Sequence, residues 1–247
     1  MFRIHSFCLK LGALLALLFQ YSPANGRDRI DQPMFSSKAI TIYQGKRIDS
    51  PDHKKTVAVE SLKERLSDSP GDFPARLTLD TEEGKLTATF GFSLDAELLW
   101  SPDSNAFALT GSVRGANGQY KTDVFLIQDK SLVVIHLTEL IEGEFGHSVK
   151  CDWPESPNVA AIKWIVPSRQ LLVAAEIMHH SNCDSLGTFT AYTIEFGELG
   201  NSVAKIWSQL EVKKLFRKDL GEELLQADDA CIIDPRSCRI NRTGSKP

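Results

Sequence analysis

The clearest pattern in the chain is the alternation of apolar and polar positions in "LTATFGF", residues 86–92. Leu86, Ala88 and Phe90 fall on one side of an extended chain, and the two threonines fall on the other. Alternation with a period of two predicts a half-buried strand. Further runs rich in β-branched and aromatic residues are "FALTGSV", "DVFLI", "LVVIHL", "LLVAAEI" and "TFTAYTIEF". Turn formers separate them, so we predict a mainly β protein with antiparallel strands.

Residues 168–180, "SRQLLVAAEIMHH", fit two structures. Leu171, Leu172, Ala175 and Met178 share one face at helical spacing, with Ser168 as a candidate cap. The same run is also apolar enough for a buried strand. A comparison within the chain decides between them.

Three parts of the chain are similar to one another. The stretch "LLWSPDSNAFALTGS" aligns with "IKWIVPSRQLLVAAE", so that Trp100 falls on Trp164 and Phe107 on Leu171. An earlier copy, "RIDSPDHKKTVAV", repeats Ser-Pro-Asp at residues 50–52. Because the aligned run "FALTGSV" is a predicted strand, the alignment favours a strand for the ambiguous segment. The spacings of 51 and 64 residues are near the length of a four-stranded propeller blade.

These repeats resemble the Ser-Pro-Asp type of β-propeller repeat found in TolB-like and related periplasmic proteins. The resemblance implies antiparallel propeller-like blades, about three in number, within one β-rich domain of residues 27–247. The blade-like units lie near residues 38–92, 93–145 and 158–207, and a helical, disulfide-clipped tail follows over residues 208–247. An open arc of three blades leaves two terminal faces, and we expect apolar residues on both to need cover.

The tail predicts a C-terminal helix. Ser208 and Glu211 form a capping box, and Gly221 is placed to end the helix in a left-handed conformation. The expected buried stripe is Leu210, Val212, Leu215 and Phe216. A shorter helical turn is predicted in "TELIEGEF" from Thr138.

Two segments are expected to cover the terminal faces. The C-terminal helix would cover one face, and a strand containing Ile40, Ile42 and Tyr43 would cover the other, which gives a monomer. The alternative is that a second copy of the chain covers the second face.

The N-terminus predicts export. Residues 1–26 combine Arg3 and Lys10 with the nine-residue apolar run "LGALLALLF", and Ser22 and Ala24 suit a signal-peptidase site. The run is shorter than the roughly 20 residues of a membrane-spanning helix. We therefore expect a signal peptide, no membrane span after its removal, and a secreted or periplasmic protein.

Charge excludes one class of partner. The formal net charge is −4, and loss of the signal peptide's two basic residues makes it −6. A mildly acidic chain with dispersed lysines and arginines repels phosphate, so we expect no nucleic-acid partner. No phosphate-binding loop or nucleophile motif is present, and we expect no cofactor.

Four cysteines remain after removal of the signal peptide: Cys151, Cys183, Cys231 and Cys238. An even number in an exported chain predicts disulfides, with three connectivities open. Asp234 and the proline after it favour a turn in "CIIDPRSC" that brings Cys231 back to Cys238. We therefore predict the pairs Cys231–Cys238 and Cys151–Cys183.

The candidate chemistry lies around "IMHHSNCDSLG". His147 with Cys151, and His180 with Cys183, have spacings suited to a tetrahedral zinc site. A Cys151–Cys183 disulfide would remove both sulfur ligands, and the exported compartment favours that disulfide. His179 or His180 beside Asp184 remains a candidate acid–base site, with a histidine pKa raised by the carboxylate.

Two functions from different classes follow. The first is a non-catalytic binding protein for a protein or small ligand, with Trp153 in "CDWPESPN" as part of a rigid contact surface. The second is an exported hydrolase or zinc-binding protein that uses His179, His180 and Asp184. The absence of a recognisable catalytic set favours the binding protein.

Overall fold

The computed structural model describes residues 33–61, 75–90, 96–112, 119–148, 156–177, 186–198, 200–227 and 229. The strands in these residues are β1 Ile40–Ile42, β2 Arg47–Asp49, β3 Thr56–Ser61, β4 Ala75–Thr81, β5 Gly84–Phe90, β6 Ala96–Trp100, β7 Ala106–Ser112, β8 Tyr120–Gln128, β9 Ser131–His136, β10 Asn158–Val166, β11 Gln170–Glu176, β12 Phe189–Gly197 and β13 Gly200–Ser208. The helices are α1 Leu137–Ser148, α2 Gln209–Phe216 and α3 Glu222–Gln226, with a 3-10 turn at Arg217–Asp219.

The strands form three antiparallel sheets. The first sheet has the order β2-β3-β4-β5, the second has β1-β6-β7-β8-β9, and the third has β10-β11-β12-β13. The mainly β prediction is therefore confirmed. The ambiguous segment contains strand β11, as the internal comparison predicted, and the helical turn predicted from Thr138 lies within α1.

The aligned positions of the repeats occupy equivalent places in the sheets. Trp100 pairs with Phe107 across the β6–β7 hairpin, and Trp164 pairs with Leu171 across β10–β11. The turn that follows each first strand contains a non-glycine residue with positive φ: His53 at 60°, Ser104 at 60° and Ser168 at 50°. Such a conformation costs energy unless the surroundings hold it. Its recurrence at aligned positions shows that the three hairpins share one backbone design.

Strand β1 lies in a different place from the one expected. It pairs with β6 of the second sheet, with Thr41 opposite Glu97, and so adds a strand to the β6 edge of that sheet. Ile42 is fully buried while Ile40 is exposed. The expectation that this segment covers a terminal face was therefore wrong, because main-chain pairing to the free edge of β6 satisfies its backbone groups instead.

Three cores separate four layers. The first core, between the first and second sheets, contains Leu77, Leu79 and Phe107. The second core, between the second and third sheets, is lined by Val124 and Val173 and is closed by the apolar side of α1. The third core lies between the third sheet and the C-terminal helices, so the layers follow one another as first sheet, second sheet, third sheet and helices.

The outer face of the first sheet is polar. Neighbouring strands place Glu60 opposite Arg76, Arg76 opposite Thr89, and Asp80 opposite Lys85. Arg47 and Lys85 both form ion pairs with Asp80. The expectation of an apolar terminal face was wrong here, because opposite charges and threonines neutralise this surface and leave it compatible with water.

Helix α2 begins as predicted but buries a different face. The capping box between Ser208 and Glu211 is present. Leu210 and Leu215 are 43% and 59% exposed. The residues that face the third sheet and the C-terminal segment are Gln209, Val212, Lys213 and Phe216, which follow the i, i+3, i+4, i+7 spacing of one helix face.

Hydrogen bonds explain why polar residues of α2 are buried. The Gln209 side-chain oxygen accepts from the Phe189 N–H at 2.9 Å, and the Lys213 ammonium donates to the Ala227 carbonyl. Gly221 does not end α2: its φ is −78° and it precedes α3. A Cβ at Gly221 would lie 2.2 Å from the Met34 carbonyl oxygen, so the glycine is required by close backbone approach and not by a left-handed conformation.

Two buried threonines connect the second and third sheets. The Thr110 and Thr122 hydroxyl oxygens are 2.8 Å apart, the Thr122 hydroxyl donates to the Val159 carbonyl at 2.7 Å, and the Ala161 N–H donates to Thr110 at 3.1 Å. Because β10 is an edge strand, these hydroxyls satisfy main-chain groups that have no strand partner.

Thr122→Val should destabilise the protein by about 1–3 kcal/mol. The substitution keeps the shape of the side chain but leaves the buried Val159 carbonyl without its donor. Thr78→Val on the polar face of the first sheet is the control, with an expected change within about 0.5 kcal/mol. Urea denaturation of both variants measures the difference in the free energy of unfolding. Equal losses of stability would contradict the inference that Thr122 stabilises the contact between the second and third sheets.

Candidate binding end of the molecule

The two ends of the sheets differ in the length of their connections. At one end, which we call the turn end, hairpins of at most six residues join β2–β3, β4–β5, β6–β7, β8–β9, β10–β11 and β12–β13. At the other, the loop end, connections of five to 21 residues join β3–β4, β5–β6, β7–β8, β9–β10 and β11–β12. Long connections are where binding and catalytic residues concentrate in proteins with rigid sheets.

The turn end is organised by serine–aspartate pairs. The Ser50 hydroxyl donates to Asp52 at 2.6 Å, and the Ser101 hydroxyl donates to Asp103 at 2.7 Å. The Lys54 N–H also donates to the Asp52 carboxylate, at 3.1 Å. The Ser-Pro-Asp sequence thus builds a turn in which the aspartate side chain replaces missing main-chain acceptors.

Hydrogen bonds also join the turns of neighbouring sheets. The Asp52 N–H donates to the Ser104 hydroxyl at 3.1 Å, which links the first and second sheets. The Ser168 hydroxyl donates to Asp103 at 2.6 Å, and the Ser168 N–H donates to Ser101 at 2.8 Å, which links the second and third sheets. The third repeat lacks Ser-Pro-Asp, but its serine binds to the aspartate of the second.

The aspartates of the turn end are held in their charged form. The hydrogen bond from Ser50 is the largest of the effects that lower the pKa of Asp52 to about 2. Partial burial opposes ionisation of Asp103, but hydrogen bonds from Ser168 and Ser101 outweigh it and lower the pKa of that carboxyl. Carboxylates with lowered pKa and several donors are poor proton donors at neutral pH, so Asp52 and Asp103 are suited to holding the turns and not to donating protons.

The candidate residues of the loop end belong to two connections. Cys151 and Trp153 lie between α1 and β10, and His179, His180, Cys183 and Asp184 lie between β11 and β12; these six residues are outside the described part of the chain. The side chain of His147, near the end of α1, is not described either. The signal peptide and the Cys231–Cys238 pair are likewise outside the described residues, so these predictions stay predictions.

The described residues that flank the two connections are neighbours. Asn158, the first residue of β10, pairs with Glu176, the last residue of β11, and the Asn158 amide donates to the Glu176 carboxylate at 3.1 Å. Cys151 and Cys183 each lie seven residues along the chain from this pair. The two segments therefore leave the third sheet from adjacent strand ends, which is compatible with the predicted Cys151–Cys183 disulfide.

Glu97 is a buried carboxylate near the loop end that the sequence pattern did not single out. It is 9% exposed and accepts hydrogen bonds from the N–H groups of Met34, Phe35 and Ser36. Burial raises the pKa of Glu97 to about 7, and the three N–H groups oppose this rise. The signal in the sequence is a single acidic residue inside the apolar strand "AELLW".

Asp123 and His136 form a second pair that the sequence pattern did not reveal. They are opposite each other on β8 and β9, and the His136 Nδ1 lies 2.8 Å from the Asp123 carboxylate. Burial raises the pKa of Asp123, and the hydrogen bond with His136 opposes that rise. The His136 side chain is 58% exposed, so its ring is oriented by a carboxylate and is accessible to solvent. This arrangement suits a base or a ligand.

The described residues contain no group of three or more histidine, cysteine, aspartate or glutamate side chains placed to hold a metal ion. None of their helices has both the length and the apolar character needed to cross a bilayer. Asp123 and His136 are two side chains. Nucleophilic catalysis needs a nucleophile in addition to such a pair, and a tetrahedral metal site needs more ligands than two.

Comparison with known proteins gives no relative from which a role can be carried over. The chain matches no protein-family model, no curated protein and no solved structure.

Proposed function

We propose that this chain is an exported, non-catalytic binding protein that contacts its partner with the loop end. The observation that carries the proposal is the difference between the two ends of the sheets. The turn end consists of short hairpins, three of which are linked by serine and aspartate side chains. Every connection of more than six residues between strands lies at the loop end. A rigid frame that presents loops at one end is a common design for recognition.

The frame is suited to hold such loops in place. The first and second cores join the three sheets through fully buried side chains, and the Thr110–Thr122 bridge ties β8 and β7 to β10. Loops anchored to fixed strand ends lose less conformational entropy on binding. Trp153, on the connection that precedes β10, is the residue we expect to make the largest contact.

We further propose that the three sheets are an open arc of propeller-like blades that functions as a monomer. Each sheet contains an up-and-down set of four strands, and the aligned turns lie side by side. The polar face of the first sheet is compatible with solvent, and helices α2 and α3 cover the third sheet. One terminal face of the proposed arc is therefore polar and the other is covered by helices. Neither face needs a fourth blade or a second chain to cover it.

Partner capture with two matched variants tests the binding function. The mature chain is immobilised and exposed to an extract of its native source, and the retained partner is quantified. Trp153→Ala should lower retention by about 30-fold, since central aromatic residues often contribute 2 kcal/mol or more to binding. Glu83→Ala in the β4–β5 hairpin of the turn end should change retention by less than about twofold, because such rim or remote positions contribute little.

Two outcomes would contradict the proposal. One is equal retention by the wild type and Trp153→Ala together with loss in Glu83→Ala, which would place the contact at the turn end. The other is stoichiometric zinc in the purified protein after dialysis, which would favour the alternative of a zinc-binding protein or hydrolase that uses His179, His180 and Asp184.

A further inference from the structure

The outer edge of the third sheet is an open strand edge within the described part of the chain. Strand β13, Gly200–Ser208, pairs with β12 on one side, and no other described strand pairs with it. None of its nine residues is buried. The main-chain N–H and C=O groups on its outer side therefore have no strand partner among the described residues. Such an edge is a template for one more strand.

This edge is apolar on both faces of the sheet. Ile206 is opposite Tyr192, whose side chain lies in the second core, and Ile206 is 53% exposed. Trp207 is opposite Ala191 and packs on the other face, against the third core. Successive residues of a strand point to opposite faces, so a strand that covers both Ile206 and Trp207 needs two successive apolar residues.

Lys205 gives the same edge a positive charge. Its ammonium lies 3.3 Å from the centroid of the Trp207 ring. Its effect on Glu211 is small, because the pKa of Glu211 is lowered first by hydrogen bonds from Ser208 and last by the charge of Lys205. A carboxylate beside Lys205 on an added strand would form an opposite-charge pair of the kind that stabilises neighbouring strands.

The C-terminal tail begins close to this edge. The Asp229 carboxylate accepts from the Gln209 amide at 2.6 Å and from the Lys213 ammonium at 2.8 Å. Both donors belong to α2, which follows directly on β13. Residues 230–247 lie outside the described part of the chain. Extended, they reach about 60 Å, which is about twice the length of β13, so the tail is long enough to run along the whole edge.

The tail has the sequence that the edge requires. Residues 231–234 are Cys-Ile-Ile-Asp, in which Ile232 and Ile233 are successive β-branched residues and Asp234 is acidic. β-branched residues favour strands. Pro235 follows, and because it has no N–H to donate, it ends strand pairing at that point.

The direction of the tail decides which residues meet. A segment that starts near the end of β13 and runs back along it is antiparallel to it. If Ile233 lies beside Ile206, Asp234 then lies beside Lys205. The isoleucine before Ile233 lies beside Trp207 on the opposite face. One register therefore matches both apolar positions and the charge.

The outer edges of the other two sheets lack this combination. Strand β5 presents Lys85 and two threonines on its polar face. Strand β9 presents Val133, at 37% exposed, with His136 at its end. Helix α2, which holds the start of the tail, packs mainly on β12 and β13. The tail is therefore best placed to reach the edge of β13.

We propose that residues 231–234 form a fifth, antiparallel strand on the outer edge of the third sheet, so that the C-terminal tail covers the edge of β13. The main chain of this strand pairs with the outer N–H and C=O groups of β13, and its two isoleucines cover Ile206 and Trp207. An edge that is paired within the chain cannot take up a strand from another molecule. The tail thus prevents edge-to-edge association, whichever partner the loop end binds.

Hydrogen exchange measured residue by residue by NMR in the full mature chain tests the added strand. The N–H groups of β13 that do not bond to β12 should exchange at least about 100-fold more slowly than their intrinsic rates. The N–H groups that join β11 to β12 are the internal reference, because they lie inside the sheet and should stay protected in every variant.

Two matched substitutions in the tail identify what covers the edge. Ile233→Asp places a charge beside the apolar side chain of Ile206 and should lower the protection of the outer β13 amides at least about tenfold. Ile240→Asp makes the same change beyond the proposed strand. It should leave that protection within about twofold of the wild type.

An exchange of charges tests the register. Asp234→Lys places two lysines side by side and should lower the protection of the outer β13 amides about fivefold, since like charges on neighbouring strands repel. Lys205→Glu alone should lower it similarly. The double variant restores an opposite-charge pair and should recover the protection of the wild type.

Three results would overturn the proposal. The first is exchange of the outer β13 amides at their intrinsic rates in the wild type while the β11–β12 amides stay protected, which would show an unpaired edge. The second is protection that rises with protein concentration together with a dimer in light scattering, which would assign the edge to a second copy. The third is protection that survives both Ile233→Asp and Asp234→Lys, which would assign it to another segment.

Discussion

Phe107→Ala should lower the free energy of unfolding by about 3–5 kcal/mol, the usual range for loss of a large aromatic side chain from a core. Phe107 is fully buried on β7, and its ring stacks on Phe125 with centroids 4.8 Å apart and an interplanar angle of 11°. The centroid of the Trp100 ring lies 5.0 Å from that of Phe107, its cross-strand neighbour on the same face of the second sheet. Because this cluster forms the contact of the second sheet with the first, the cavity has several rigid walls that cannot collapse into it.

Chemical denaturation followed by circular dichroism measures this loss. Val133→Ala is the control, because Val133 is 37% exposed on the edge strand β9, and we expect a loss below about 1 kcal/mol. The result also tests whether the sheets unfold together. If the three sheets form one cooperative unit, Phe107→Ala shifts a single transition. A second transition that keeps the wild-type midpoint would show that the third sheet unfolds independently of the first core.

Cys183→Ser should destabilise the mature protein by about 3–4 kcal/mol, and Cys238→Ser by about 2.5 kcal/mol, on the chain-entropy account of disulfides. The larger effect follows from the longer loop that the Cys151–Cys183 pair closes. The pairing of Asn158 with Glu176 supports this disulfide, since the two connections begin at neighbouring strand ends. Thermal or urea denaturation under non-reducing conditions measures both variants.

Peptide mapping without reduction provides the independent control. It should find Cys151 joined to Cys183 and Cys231 joined to Cys238. Free thiols, or Cys151 joined to a C-terminal cysteine, would show that the pairing is wrong. Equal losses of stability in the two serine variants would instead contradict the argument from loop length.

Local patterns in the sequence predicted several of the long strands, among them β5, β7, β8, β9 and β12, and the start of α2. The alternation around Leu86 and Phe90 matches the burial of β5. The capping box at Ser208 is complete, and the alignment of Trp100 with Trp164 corresponds to equivalent strand pairs. These features depend on side chains and main-chain groups a few residues apart, so a short window contains all the relevant interactions.

The candidate site could be predicted only in part. The sequence named cysteines and histidines on the connections that flank β10 and β11, and those connections lie at the loop end. It did not reveal Glu97 or the Asp123–His136 pair, because each depends on partners that are distant in the sequence: Asp123 and His136 meet by strand pairing, and Glu97 meets the N–H groups of residues 34–36. No spacing rule links residue 97 to residue 35.

The tertiary structure alone decided how the layers are covered. The pattern of α2 placed Leu210 and Leu215 in the core, whereas contacts with Phe189 and Ala227 turn Gln209 and Lys213 inward. The sequence by itself predicted strands such as β5 and β12, because side-chain alternation is local, and the comparison of repeats added β11. The partner of β1, the buried face of α2 and the need for Gly221 depend on surfaces supplied by distant parts of the chain, and only packing of those surfaces selects among faces that a short pattern leaves equivalent.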